Sequence, residues 1–398
     1  MCVDLPEHVR AGIGRRNLIA GLGIGAAGLA LTACEPTSVD PAQADQIDHR
    51  QFGPPPQAGS KTKLVLLGTA GGPTLFPGNQ SAGIASALAV GDRYYLIDAG
   101  HGVLSQLRKA KLGPHHEAAQ DGPLDVLGGI FLTHLHSDHT VDLSNVLVTG
   151  IYNGLQSVSR IPVWGPGNRR RLPPLFGQGP APAPINPANP TPGTQEMMDL
   201  LVQMFATDLN DRLFDNRKPA PAQLWEARDV PVPEEYLADP NGAPAPDMEP
   251  FTFYEDDRVK VSAILVNHAP VFPALAYRFD TEDGSVVFSG DTARCANLVR
   301  LAQDADVLVH EVIDEDWAAG LFPSPRSEAE EGLYRHLIQA HTLKTEVGAI
   351  AAEANVGTLV LSHLVPVIQP EAVWAECAKG FDGRMVVGRD LDVIDVSS

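Results

Sequence analysis

Four apolar runs, far apart in the chain, each stop at an imidazole or a carboxylate. The first, "VLGGIFL", runs into "THLHSDHT", which places His134, His136, Asp138 and His139 within six positions. "SAILVNH" stops at His268, "SVVFSGD" at Asp291 and "TLVLSH" at His363. Short apolar runs of this length bounded by polar or Gly residues read as buried strands. One such ending is more often a structural residue than a ligand. Four endings with one chemistry restrict the fold to architectures that bring several strand ends to a single point.

The spacing inside the first motif supports metal binding. His134 and His136 stand at i and i+2, so on an extended segment both imidazoles share a face and reach one ion. Asp138 and His139 lie just past the strand, where the chain turns, and reach a second position nearby. Mostly imidazole ligation suits zinc, with manganese and iron as the alternatives.

The rest of the chain supplies the frame. "KLVLLGTAGG" (63–72) reads as a buried strand entering a Gly turn, and "ASALAVGDRYYLIDAG" (85–100) as a hairpin around Gly91–Asp92. Helical spacing is expected near 102–111, over 194–215 and in "KTEVGAIAAEA". Between about 165 and 250 the chain becomes Pro-rich and irregular, and this stretch reads as an insertion forming a lid or wall. Strands dominate elsewhere, with helices interspersed, which predicts two β-sheets with helices outside. Arg169 to Arg171 form the one basic cluster, expected as a solvated loop too small to hold a tRNA. His115 and His116 are expected in a surface loop, and Cys295 and Cys377 as buried thiols rather than ligands.

H-x-H-x-D-H, followed at a distance by a single His, an Asp and a His, resembles the metallo-β-lactamase superfamily over about residues 63–396. "LGTAGGP", "HAPVFPALAYRFD", "SGDT", "VHEV", "AHT" and "LSHLVP" are similar to the tRNase Z and arylsulfatase-like branch. The resemblance implies an α/β fold, a four-layer αββα sandwich, with two divalent ions at the sheet edge. One ion takes His134, His136 and His268. The other takes Asp138, His139 and His363. Asp291 bridges them, with a water or hydroxide between, and Asp98 orients a ligand through a hydrogen bond. Asp138, Glu311 and His341 are the candidate catalytic residues, the last two matching a Glu–His pair that serves the leaving group. An alternative for His341 is a structural role at a helix N-terminus. A bridging carboxylate such as Asp291 is generally lacking in true β-lactamases.

The N-terminus has the pattern of an export signal. "GRRNLIAGLGIGAAGLALTAC" holds Arg15 and Arg16, then an uncharged run from Leu18 to Ala33, then Cys34. The run has 16 residues, short of the roughly 20 needed to span a bilayer. Residues 1–33 are therefore expected to be a twin-arginine-type lipoprotein signal peptide, with a plain signal peptide or a retained anchor as alternatives. Residues 34–60 are expected to be a flexible tether, and 61–398 the hydrolase domain. Gly23, Gly25 and Gly28 spell G-x-G-x-x-G, but no strand precedes them, and they read as the small residues of the signal core.

Net charge is −20 at pH 7 with a sequence pI of about 4.9, a balance that repels nucleic acid at long range. Together these features point to an exported, periplasmic or cell-surface lipoprotein that hydrolyses a small anionic ester, an aryl sulfate or a phosphodiester. The alternatives are a tRNase Z-like endoribonuclease, a lactonase, and a metal-carrying lipoprotein without turnover. A homo-oligomer is compatible with this reading. If Cys34 is the lipidated first residue of the mature chain, wild-type protein partitions with membranes and Cys34→Ala is released or left unprocessed. Fractionation with mass spectrometry of the N-terminus checks this, and an intact Met1 would contradict it.

Overall fold

The computed structural model describes residues 61–116 and 122–397. The signal peptide and tether expected over 1–60 lie outside the described residues. Two mixed seven-stranded sheets form the centre of the domain. The first has the order β14-β1-β2-β3-β4-β5-β6 and the second β13-β12-β11-β10-β9-β8-β7. In the first sheet β1 (Thr62–Gly68), β2 (Ala85–Val90) and β3 (Arg93–Ile97) run antiparallel to one another. β4 (Leu127–Phe131), β5 (Ile161–Gly165) and β6 (Trp225–Asp229) then continue parallel to β3. The second sheet repeats this logic. β7 (Phe251–Glu255), β8 (Lys260–Leu265), β9 (Leu275–Asp280) and β10 (Ser285–Phe288) are antiparallel. β11 (Val307–Ile313), β12 (Thr358–Val365) and β13 (Arg384–Val387) follow in parallel. The last strand, β14 (Val393–Asp395), returns to pair with β1 of the first sheet.

The layers follow from the burial pattern. One core cluster joins Leu64, Tyr95, Ile97 and Phe131 of the first sheet to Val261, Tyr277, Phe279 and Val286 of the second. The other sets Val65, Leu67, Leu96 and Ile130 against Val103 and Leu107 of the helix Val103–Lys109 and Leu143, Val146 and Leu147 of the helix Leu143–Val148. Leu64 and Val65, like Ile97 and Leu96, thus point to opposite faces, as strand alternation requires. The inner parallel strands β4, β11 and β12 are apolar on both faces because both are covered.

Two expectations for the insertion change. The helix expected over 194–215 is two helices, Thr194–Met204 and Ala206–Phe214, separated at Phe205. Phe205 has φ −97° and ψ 14°, outside the helical basin, so the axis changes direction there. The stretch also contains β6, whose "WEARD" lacks the apolar run of a central strand because it is the edge of its sheet.

Phe131 is the hub of the inter-sheet core, meeting the rings of Tyr254, Phe279, Tyr277, Phe253 and Tyr95 at centroid distances of 5.1–6.3 Å. It also ends the strand that carries His134. Phe131→Ala is expected to cost about 3–5 kcal/mol, read as a lowered midpoint of denaturant unfolding with an unchanged slope.

Candidate metal centre

Every expected ligand lies at the same edge of the two sheets. β4 ends at Phe131 and delivers His134 and His136. The single-turn helix Ser137–Thr140 that follows carries Asp138 and His139. β8 leads to His268 and β10 to Asp291. His363 is not at a strand end, as the sequence suggested, but inside β12. The register between β11 and β12 shifts there, from His310 opposite Leu361 to Val312 opposite Leu364. His363 has φ +47°. This bulge is what turns the imidazole towards the other ligands.

Backbone in the left-handed region recurs around the centre. Asp98 has φ +58° and Gly290, just before Asp291, φ +57°. A Cβ on Gly290 would stand 2.7 Å from the Leu275 carbonyl oxygen. The glycines of "LGTAGGP" also have a local cause. A Cβ on Gly71 would meet His363 Nδ1 at 2.6 Å, and the Gly72 N–H donates to Asp138 Oδ2 at 3.1 Å.

The side chains form two sets whose potential ligand atoms lie within 4.8 Å of one another. One is His134, His136, His268 and Asp291. The other is Asp138, His139, His363 and Asp291. Asp291 belongs to both. Its Oδ2 lies 3.8 Å from His134 Nε2, 3.7 Å from His268 Nε2 and 3.3 Å from His363 Nε2, and its Oδ1 lies 3.3 Å from His139 Nε2. His136 Nδ1 lies 3.4 Å from His268 Nε2, and His363 Nε2 3.4 Å from Asp138 Oδ2.

These residues fit a pair of divalent ions. Buried polar atoms are almost always satisfied, yet His134 Nε2, His139 Nε2 and Asp291 Oδ1 are buried without a hydrogen-bond partner. His134 Nε2 belongs to the first set, His139 Nε2 to the second and Asp291 to both, so each set keeps an unsatisfied atom whose lone pair a cation would accept. Two ring nitrogens on the far side are already committed. His139 Nδ1 donates to Asp98 Oδ2 at 2.8 Å, and His268 Nδ1 to the Ala340 carbonyl at 2.7 Å. Each bond fixes a tautomer that presents Nε2 as the free donor atom. Asp98 is itself held by the Thr133 N–H at 2.8 Å and hydroxyl at 2.9 Å.

The electrostatics agree with this division. Burial pushes His134, His136 and His268 below the ordinary imidazole value, so all three are neutral. Burial alone would raise Asp291, but the imidazoles of His363, His139 and His134 override it and hold the carboxyl well below its usual range. Burial also opposes charge on His139. Asp291 and Asp98 outweigh it, and His139 is raised. Metal binding on that side therefore displaces a proton.

Glu311 and His341 stand beside the centre. His341 Nδ1 lies 2.9 Å from Glu311 Oε2 and 3.0 Å from Oε1, and the Thr292 N–H donates to Glu311 Oε1 at 2.6 Å. His341 Nδ1 is 3.9 Å from Asp291 Oδ2.

Sequence reasoning missed His336. It lies in the last turn of the helix Glu328–Gln339, which opens with a capping box between Ser327 and Glu330. Its ring centroid is 5.5 Å from that of His268, 5.6 Å from His341 and 6.2 Å from His136. Burial, followed by the neighbouring His341 and His136, brings it down to about 4. The available signal was a second histidine five residues before His341.

Arg169 also departs from expectation. Arg170 is exposed and paired with Glu234, and Arg171 is exposed, but Arg169 is buried. The irregular segment carrying it folds back against the molecule instead of standing in solvent. Elsewhere His115 is exposed and paired with Asp125, Cys295 is half-buried and Cys377 buried, and none of these approaches the centre.

Residues 81–346 match the family described as the metallo-beta-lactamase superfamily. The chain belongs to that superfamily. Among curated proteins it is 32% identical over 340 residues to a protein named Ribonuclease Z from Mycobacterium bovis, covering 84% of this chain and 98% of the relative. It is 31% identical over 342 residues to a Ribonuclease Z from Mycobacterium avium, covering 84% and 99%. The solved structure of human tRNase Z, short form, aligns with a TM-score of 0.51 at 17% identity, over 84% of this chain and 100% of that one. Zn2+-bound PqqB from Methylobacterium extorquens aligns with a TM-score of 0.50 at 13% identity, over 84% and 99%. These two show the shared fold.

If both sets hold metal, elemental analysis after growth in zinc gives two transition-metal ions per chain. Asp291→Ala lowers both together. Asp98→Asn weakens retention roughly 10- to 100-fold, measured by chelator competition. A folded wild-type protein with one ion or none would contradict the assignment.

Proposed function

We propose that this protein is a metal-dependent phosphodiesterase of the tRNase Z type. The observation that carries the proposal is the buried Glu311–His341 pair set beside two ligand groups that share Asp291. Similarity to proteins named Ribonuclease Z over nearly their whole length supports the same bond class. Of the two esters expected from sequence, it favours the phosphodiester over the aryl sulfate.

His134, His136 and His268 would hold one ion, Asp138, His139 and His363 the other, with Asp291 between. A divalent pair held there supplies Lewis acidity towards the ester oxygens and a hydroxide nucleophile near neutral pH. Predominantly imidazole ligation favours zinc. Asp98 keeps His139 in the tautomer that presents Nε2 inward. Glu311 does the same for His341, so the second nitrogen of His341 is the one left to donate a proton to the departing oxygen. Burial opposes the charged imidazolium, but Glu311 outweighs it and brings His341 up to about 9. This raises the protonated fraction of His341 near neutral pH, an effect that cations bound nearby would oppose.

A second reading concerns the substrate's size. A net charge of −20 opposes a polyanion the length of a tRNA, which favours a small diester. Export through the Arg15–Arg16 segment and a Cys34 anchor would place such a substrate outside the cytoplasm.

Zinc-loaded protein is expected to cleave bis-nitrophenyl phosphate faster than nitrophenyl sulfate, and penicillins weakly or not at all. A precursor tRNA assayed in parallel separates the two substrate sizes. Faster sulfate cleavage would overturn the reading. His341→Ala should slow diesters with poor leaving groups by about 100- to 10,000-fold and nitrophenyl diesters far less. Because the donor acts when protonated, wild-type kcat/KM on poor leaving groups falls as pH rises through the His341 pKa. That alkaline limb is absent from His341→Ala and moves to lower pH in Glu311→Gln.

A further inference from the structure

A cavity of about 300 Å³ opens beside the metal centre. Leu135 and His136 form one wall and the loop after His268, including Phe272, another. Pro173 and Pro192 of the Pro-rich segment close a third. Two of the three walls therefore belong to loops that carry expected metal ligands, and a substrate held at the centre can extend directly into this space. The lining is mainly apolar. Its only ionisable members are His136 and Arg169.

Arg169 is unusual in this position. Its residue exposure is 8%, and a guanidinium stays charged in proteins. Buried charges are normally paired. Among the described residues, Arg169 has no carboxylate partner. Nη1 donates to the Arg171 carbonyl at 3.1 Å and Nη2 to Asn241 Oδ1 at 2.8 Å, both neutral acceptors. A guanidinium has five N–H donors, so three remain. The two bonds fix the planar group without neutralising it. Burial lowers its pKa, which reflects the same missing counter-ion.

We propose that this cavity is a specificity subsite that takes an apolar substituent of the ester carrying an anionic group, with Arg169 as its counter-ion. The proposal rests on the phosphodiesterase reading for the bond that is cleaved, but not for the binding itself. The apolar walls exclude water from the substituent, and the desolvated guanidinium then interacts more strongly with the anion than an exposed one would. Diesters bearing a carboxylate on the non-leaving group are therefore selected over neutral counterparts.

Two measurements on zinc-loaded protein test this. In the first, calorimetry compares 2-naphthoate with neutral 2-naphthylmethanol. Naphthoate is expected to bind at least about tenfold more tightly, as a charge-assisted hydrogen bond implies. Arg169→Met, which keeps the stem and removes the charge, should abolish the difference, and Arg169→Lys should restore part of it. Pro173→Glu leaves the bonds of Arg169 to Arg171 and Asn241 untouched and places a carboxylate on the cavity wall. It should weaken naphthoate binding similarly, so the test does not depend on one variant folding. Naphthoate binding that persists in both Arg169→Met and Pro173→Glu would put the carboxylate on the metals and overturn the proposal. Equal affinities for the two probes in wild type would also overturn it.

The second measurement compares 4-nitrophenyl phenyl phosphate with its 3-carboxyphenyl analogue. The carboxylate should raise kcat/KM in wild type, and the ratio of the two diesters' kcat/KM should fall to about one in Arg169→Met. If neither diester is cleaved but the naphthoate preference is present and lost in Arg169→Met, the phosphodiesterase reading fails and the anion subsite stands.

Discussion

Asp291 is 2% exposed and ringed by imidazoles. An ionised carboxylate in that position is tolerable only if positive charge surrounds it, and the rest of the site is arranged around that requirement. Asp98 and Glu311 each take one nitrogen of a neighbouring histidine, which settles where the remaining lone pairs and protons lie. The left-handed backbone at Asp98, Gly290 and His363 belongs to the same constraint. These residues bend the chain at the points where extended strands would otherwise carry the functional groups past the centre. Strain of this kind persists where surrounding structure over-determines it, and here the packed sheets do so.

The ligands were legible because strand ends are a strong signal. An apolar run must be buried, and a polar group at its end must be satisfied, so run and terminus together specify a position. The hairpin around Gly91 and the two-sheet architecture were readable by the same periodicity. His363 was readable as a ligand but not as a bulge, since register shifts depend on the facing strand and leave no mark in "TLVLSHLVP". β6 was hidden because an edge strand need not be apolar. His336 was missed because its helix has no fully buried residue, and helical periodicity says nothing about an imidazole held at a mouth. The burial of Arg169 depends on Asn241, 72 residues further on. No local pattern encodes such a contact.

The Pro-rich segment also contacts the helix Glu328–Gln339. The Gln178 N–H donates to Glu328 Oε1 at 2.8 Å, and Arg335 lies over the Phe176 ring at 5.5 Å from its centroid. The segment that walls the Arg169 cavity is thus tied to the helix that carries His336. On the proposed reading, chemistry and selectivity would consequently reside in different materials. The sheet edge supplies a rigid charge arrangement, and an irregular, Pro-rich strap supplies shape.

The centre draws on both sheets. His134, His136, Asp138 and His139 follow a strand of the first, while His268, Asp291 and His363 come from the second. The earliest and latest of these residues are separated by 229 positions. During synthesis the first motif emerges long before its partners exist. Full coordination becomes available only after the second sheet has been made, aligned and packed on the first. If the two sets hold ions, tight retention would therefore report on the assembly of both sheets, and a misregistered polypeptide would be distinguished by its weak hold on the ions.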